Sequence, residues 1–228
     1  MSKYTNYVGL PHLLEIGFEA LPDAAGASAK ADELHFKRLH QESELSLAQM
    51  LVDLEATVDL LKLQRDLGKA TFHLTRAAAI VEGMQTKLSL LRPPYFTAER
   101  FEAFRDLLAP ASGAHSPGFT EVRRALGLEG NESPVFKEFK NSMEEQEVTL
   151  ATVIRSPEEP LYLVAQALLR VAMAYEHWLW DHLQNARLVV GIGRQGTGGS
   201  DDGAAFLRSR VVAPFPELWE AVGKISSD

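Results

Sequence analysis

The chain of 228 residues is 46% hydrophobic and 24% charged, with a net charge of −8. That suits one domain with a sizeable core and disfavours nucleic acid, whose binding draws on a basic stripe that this sequence lacks. Cysteine is absent, which excludes disulfides, zinc–thiolate sites, iron–sulfur clusters and a thiol nucleophile. No apolar run reaches ~18 residues and the start, MSKYTNYVGL, has no signal-peptide core, so a cytoplasmic protein without a membrane partner is expected.

Residues 1–12 are short and aromatic, and LPDAAGASAKAD reads as a mobile small-residue linker; together they make residues 1–30 an arm ahead of the body of a single domain, 1–228. Asp32 can cap a helix over about 31–66, in which Leu47, Leu51, Leu54, Val58 and Leu61 recur every three or four residues. The pattern weakens at Gly68, resumes through ATFHLTRAAAIVEGMQTKLSLL and stops at Pro93-Pro94. Thr97 caps a shorter helix, AERFEAFRDLLA, with Phe101, Arg105 and Leu108 on one face, ended by Pro110. ASGAHSPG is a loop; helical patterns follow near 119–127 and 134–153. The Ser156-Pro-Glu-Glu-Pro segment opens a last long helix to about Val190. No stretch alternates with period two. The fold class is all-α, a bundle of long antiparallel helices.

The Gly191-Ile-Gly193-Arg-Gln-Gly196 stretch fits GxGxxG, but a dinucleotide fold needs a strand before it and another about 20 residues on. Helical residues precede it, and the tail offers PFPELW instead. The pairs His35/His40 and His177/His182 are each five residues apart, so each pair presents at most one histidine to a given face. His182 shares its face with Tyr175, Trp178, Asn185 and Val189, an apolar-aromatic wall with room for a flat cofactor, and His40 follows Phe36 by one turn. Arg105, among Phe101, Phe104 and Leu108, either snorkels or grips a carboxylate through its planar fork. Gly196-Thr-Gly-Gly-Ser200 can admit an anion to its amides or serve as a tether.

Six ordered patches are similar to the tryptophan 2,3-dioxygenase family, within the histidine-ligated haem aromatic oxygenases. Tyr4-Thr-Asn-Tyr7-Val8 resembles the family's YxxYL segment, and residues 32–45 its DExxFxxxHQxxEL helix. Phe104-Arg105-Asp106 with Ser112-Gly113-Ala-His-Ser116 resembles FRD…SGFQS. Trp178-Leu-Trp-Asp-His182 resembles WRxxH, residues 196–200 match GTGGS, and Phe215-Pro-Glu-Leu-Trp219 matches the FPELW end. The resemblance implies haem b (iron protoporphyrin IX) in a helical pocket, with His182 on the iron and Trp178 and Ser112 beside the cofactor. It implies L-tryptophan or an analogue and dioxygen as substrates, with His40 taking the indole N–H and Phe36, Phe101 and Leu108 lining the pocket. Arg105 and Thr197 would hold the amino-acid end. Tyr4, Tyr7 and Val8 would act across the interface of a homotetramer (or dimer).

The sequence departs from that pattern in places. Phe101 stands where the family has a tyrosine, SGAHS puts His115 where SGFQS has glutamine, and the span from Ser116 to Trp178 is short. The implied reaction is dioxygenation of the indole C2–C3 bond to N-formylkynurenine. The alternatives are mono-oxygenation of a tryptophan analogue to a 2-oxindole, and a haem-binding sensor without chemistry.

Overall fold

The computed structural model describes residues 7–9, 13, 26–63, 66–108 and 112–225, and every regular element among them is helical. Helix α1 (Gly26–Lys62) and α2 (Leu67–Leu88) form a hairpin continued by a 3-10 turn at Ser89–Leu91. Two short helices follow, α3 (Ala98–Glu102) and α4 (Arg105–Leu108), then α5 (Pro117–Ala125), α6 (Pro134–Glu145) and α7 (Leu150–Ile154). Helix α8 (Pro160–Val189) is the second long rod, and α9 (Gly203–Ser209) and α10 (Pro216–Ile225) close the chain. None is long and apolar enough to cross a membrane.

Several boundaries differ from the sequence expectation, for local reasons. Helix α1 begins at Gly26, so part of the stretch read as a linker is helical; alanine-rich sequence propagates a helix well. Asp32 therefore lies inside α1 and accepts two bonds from Arg100 Nη1, at 2.7 and 2.8 Å. The break between the long helices falls before Gly68, because Asp66 caps α2 by accepting from the Lys69 amide at 2.9 Å. The 134–153 pattern is cut by Glu147, whose φ of 54° no helix continues through. The 97–108 pattern divides at Ala103-Phe104, which lets buried Phe101 and Phe104 both turn inward.

Pairs between α1 and α2 run in opposite senses: His35 meets Leu90, Glu42 meets Lys87, and Asp53 meets His73 and Arg76. Pairs between α2 and α8 advance together, from Glu82–Arg170 through Gln85–Asp181 to Leu88–Asn185. The N-terminal third of α1 therefore lies at the same end of the bundle as the C-terminal third of α8. Leu47, Leu54, Leu74, Val81, Val164 and Leu168 fill the core between the rods, each contributing about 1.5–3 kcal/mol by leaving water.

One charge is embedded in this packing. Asp53 is fully covered, and Arg76 and His73 bond its carboxylate at 3.0 and 2.8 Å. Burial alone would raise its pKa, but the bonds from Arg76, His73 and Gln49 outweigh it and hold the group below the usual carboxylate range. The site is shallow, since Arg76 is 43% exposed. Asp53→Asn is accordingly expected to cost about 3 kcal/mol, the low end for a broken buried pair. A depressed carboxylate contributes fully above the unfolded pKa of about 3.9 and loses that contribution as pH falls through its lower folded value. The gap between wild type and variant in urea unfolding should close below pH ~4.

Candidate functional site

The shared end of the bundle is floored by aromatic rings. Phe36 of α1 lies 5.7 Å from Phe101 and 5.5 Å from Phe104, and Phe96 packs on the same group. Val189, near the end of α8, joins that cluster. The last carbonyls of the α2 hairpin arm are bonded from both sides: Asn185 Nδ2 donates to Leu88 O at 2.7 Å, and His35 Nε2 lies 3.1 Å from Leu90 O. Those contacts satisfy groups that a helix end leaves orphaned and fix α1 and α8 against one another.

Two histidines face this region. The His182 ring stacks on Trp178 at 5.0 Å, and Trp178 stacks on Phe119 of α5 at 4.4 Å. Burial pushes the His182 pKa down to about 4, and the nearby His40 lowers it further. A neutral imidazole at neutral pH is the form that ligates a metal. His40 lies 4.1 Å from the Phe36 ring, and burial lowers its pKa as well. The residue itself is exposed. Its Nδ1 is 2.8 Å from Phe36 O, which can only accept, so Nδ1 carries the hydrogen and Nε2 keeps its lone pair.

Neutral histidine in the fold opposes protonation, so the metal-free chain should lose stability as pH falls from 6.5 towards 4, where the unfolded chain binds more protons. His182→Leu should flatten that slope in denaturant midpoints measured across the window.

The wall around His182 has a second sign of a ligand. Trp178 Nε1 is buried with no hydrogen-bond partner, an arrangement that native interiors rarely tolerate. Among the described residues no three His, Asp or Glu groups converge to hold a bare ion. A single imidazole beside an aromatic, apolar wall fits a metal that brings its remaining ligands in a macrocycle.

Arg105 projects from α4 with its side chain 16% exposed; its Nη1 donates to Glu102 Oε1 at 2.9 Å, and its Nη2 donates to the carbonyl of Gln195. The glycine loop is thereby drawn to α3 and α4. A Cβ on Gly198 would stand 2.7 Å from the Ser112 Cβ, so only glycine lets the loop lie on Ser112. Glu44 binds the start of α5 through Ser116 Oγ and the Gly118 amide, the latter at 3.2 Å. Added bulk at Gly118 would meet Glu44 at 2.6 Å.

No family model matches this chain. Among curated proteins it is 26% identical to tryptophan 2,3-dioxygenase of Herpetosiphon aurantiacus over 260 aligned positions, covering 95% of each chain. It is 26% identical to that of Paraburkholderia phytofirmans, covering 95% of this chain and 82% of the relative. For that of a Nocardioides species the identity is 27%, with 95% and 92% covered.

The chain is a divergent relative of the tryptophan 2,3-dioxygenases.

As a divergent tryptophan 2,3-dioxygenase relative it is shorter than the span it aligns to, 228 residues against 260 positions, so its relatives carry segments that it lacks. Of the residues singled out by sequence, Phe36, His40, Phe101, Arg105, Ser112, Trp178, His182 and Thr197 lie on the elements that meet at this end. Tyr4 lies outside the described residues, as does the side chain of Leu108; Tyr7 is 91% exposed and Val8 half-buried. Sequence reasoning did not single out Phe96, Phe119 or Glu102. The first two lacked a motif, although the 96/101/104 spacing of phenylalanines was a usable signal. For Glu102, the i,i+3 spacing to Arg105 was likewise a usable signal.

Proposed function

We propose that this chain is a haem b-dependent oxygenase acting on the indole C2–C3 bond of L-tryptophan or a substituted tryptophan, by dioxygenation to N-formylkynurenine. The observation that carries the proposal is the placement of two histidines at one end of the bundle, His182 stacked on Trp178 from α8 and His40 beside Phe36 from α1. His182 would hold the iron, its ring plane set by the Trp178 stack. When bound, haem supplies activation of dioxygen.

The remaining work belongs to the side chains. His40 Nε2, a fixed acceptor, suits the indole N–H, and Phe36 beside it offers a face to the ring. Arg105 would take the carboxylate, with Thr197 near the ammonium. A clamp remote from the reacting carbons acts by orientation, which converts an encounter into a near-unimolecular step. Tyr7, so exposed in one chain, fits a segment covered by a neighbouring subunit in a homotetramer (or dimer).

The deciding experiment is mass spectrometry of the product from reduced, haem-loaded protein given L-tryptophan under labelled dioxygen. Two labelled atoms in one ring-opened product are expected. One atom on an intact indole would replace the proposal with 2-oxindole formation, and a haem spectrum indifferent to tryptophan, with no product, would leave a sensor.

A further inference from the structure

The Arg105 guanidinium is not free to receive a carboxylate as it stands. Its Nη1 is paired with Glu102 Oε1 at 2.9 Å, and its Nη2 with the Gln195 carbonyl. Bidentate capture uses two N–H groups in one plane, so an incoming carboxylate has to displace at least one of these acceptors. The same Glu102 oxygen lies 3.3 Å from Arg194 Nη1. Arg194 is the more exposed of the two arginines, 54% against 16%, and Glu102 is itself 39% exposed. The carboxylate therefore sits between an inner and an outer guanidinium.

We propose that Glu102 and Arg194 form an exchange pair: a substrate carboxylate takes Arg105, and Glu102 moves to Arg194. The inference rests on the reading of Arg105 as the carboxylate clamp. Charge stays balanced, because one carboxylate replaces another at the half-buried cation and the displaced one is not stranded. Gln195, whose carbonyl latches onto Arg105, is the next residue along from Arg194, so one stretch of backbone carries both the latch and the receiving cation. The loop is anchored downstream, where the Gly203 amide donates to Arg194 O at 3.0 Å. Exchange at Glu102 thus reports to the loop carrying Thr197. An indole without a carboxylate leaves Glu102 on Arg105 and the latch closed. Glu102 and Arg194 are positioning residues that set selectivity for amino acids over bare indoles.

The test is calorimetric titration of the haem-loaded protein with L-tryptophan and, separately, with indole. Glu102→Gln removes the internal competitor and is expected to tighten L-tryptophan about five- to tenfold, the scale of one half-buried charged hydrogen bond. Arg194→Gln removes the receiving cation and is expected to weaken it by a similar factor, with indole unmoved in both. A merely structural ion pair would shift both variants the same way, and that result, or an equal shift for indole, overturns the exchange. Hydrogen exchange of the ligand-free protein reads the latch without substrate. The Gly196 and Gly199 amides, bonded at 2.9 and 3.0 Å within the loop, should exchange faster in Glu102→Gln; unchanged rates overturn the latch. A wild type that never binds L-tryptophan would withdraw the Arg105 reading, and the hydrogen-exchange arm would still decide whether Glu102 holds the loop.

Discussion

Replacing His182 with alanine is expected to abolish stoichiometric haem binding while leaving the helical content intact. His182 is the histidine on this face whose burial holds it neutral, at a pKa of about 4, with its ring plane fixed by stacking. Altering groups that merely orient a metal ligand costs roughly 10–100-fold in affinity; removing the ligand should exceed that. His177 is exposed and sits five residues away, on another face of α8, so it cannot substitute without turning the helix. Titration of the haem-free variant, read by absorbance, checks this. Full retention of tight haem, with His177 or His115 as the ligand, would overturn the assignment.

Arg105→Leu is expected to weaken L-tryptophan by about 10–100-fold, the worth of a charged hydrogen bond or a bidentate pair, with indole affected less than about threefold. Leucine fills much of the same half-buried space, so the loss registers charge and donors rather than volume. Arg105→Lys should recover only part of the affinity, since an ammonium keeps the charge without the fork. The comparison is the ratio of the two affinities. Equal losses for both would place the clamp elsewhere and make Arg105 a strut for the Gln195 loop.

Much of this was legible in the residues. Apolar spacing gave the rods, and Thr97 caps its helix as its position before AERFE suggested, accepting from the Arg100 amide. That each histidine pair divides between two helix faces needed only 100° per residue; in the structure His182 and His35 are half-buried, and His177 and His40 are exposed. Other features were illegible because they depend on distant partners. Asp32 had every local credential of a cap, yet the alanine-rich sequence before it carried the helix back to Gly26, and Arg100 claimed the carboxylate. Arg105 read as one arginine on an apolar face; its pairing with Glu102 at i,i+3 was open to helical spacing, but its second bond, to the Gln195 carbonyl far along the chain, was not. The tail was read only as a motif, and Gly203–Ser209 and Pro216–Ile225 are helices.

The Glu44 contact to α5 has a reach beyond its own hydrogen bonds. From α1, Glu44 grips Ser116 and Gly118 at the start of α5; Phe119 on that helix stacks on Trp178, and Trp178 on His182. One unbroken line of contact therefore runs from the helix carrying His40 to the ring of His182. Its members constrain one another: a side chain added at Gly118 would meet the Glu44 carboxylate at 2.6 Å and Leu47 at 3.0 Å, and the ring at 119 packs on the ring at 178. Substitutions along such a line do not add as those at separated sites do. Double-mutant cycles among positions 44, 118, 119 and 178 should therefore show coupling where single substitutions show only loss.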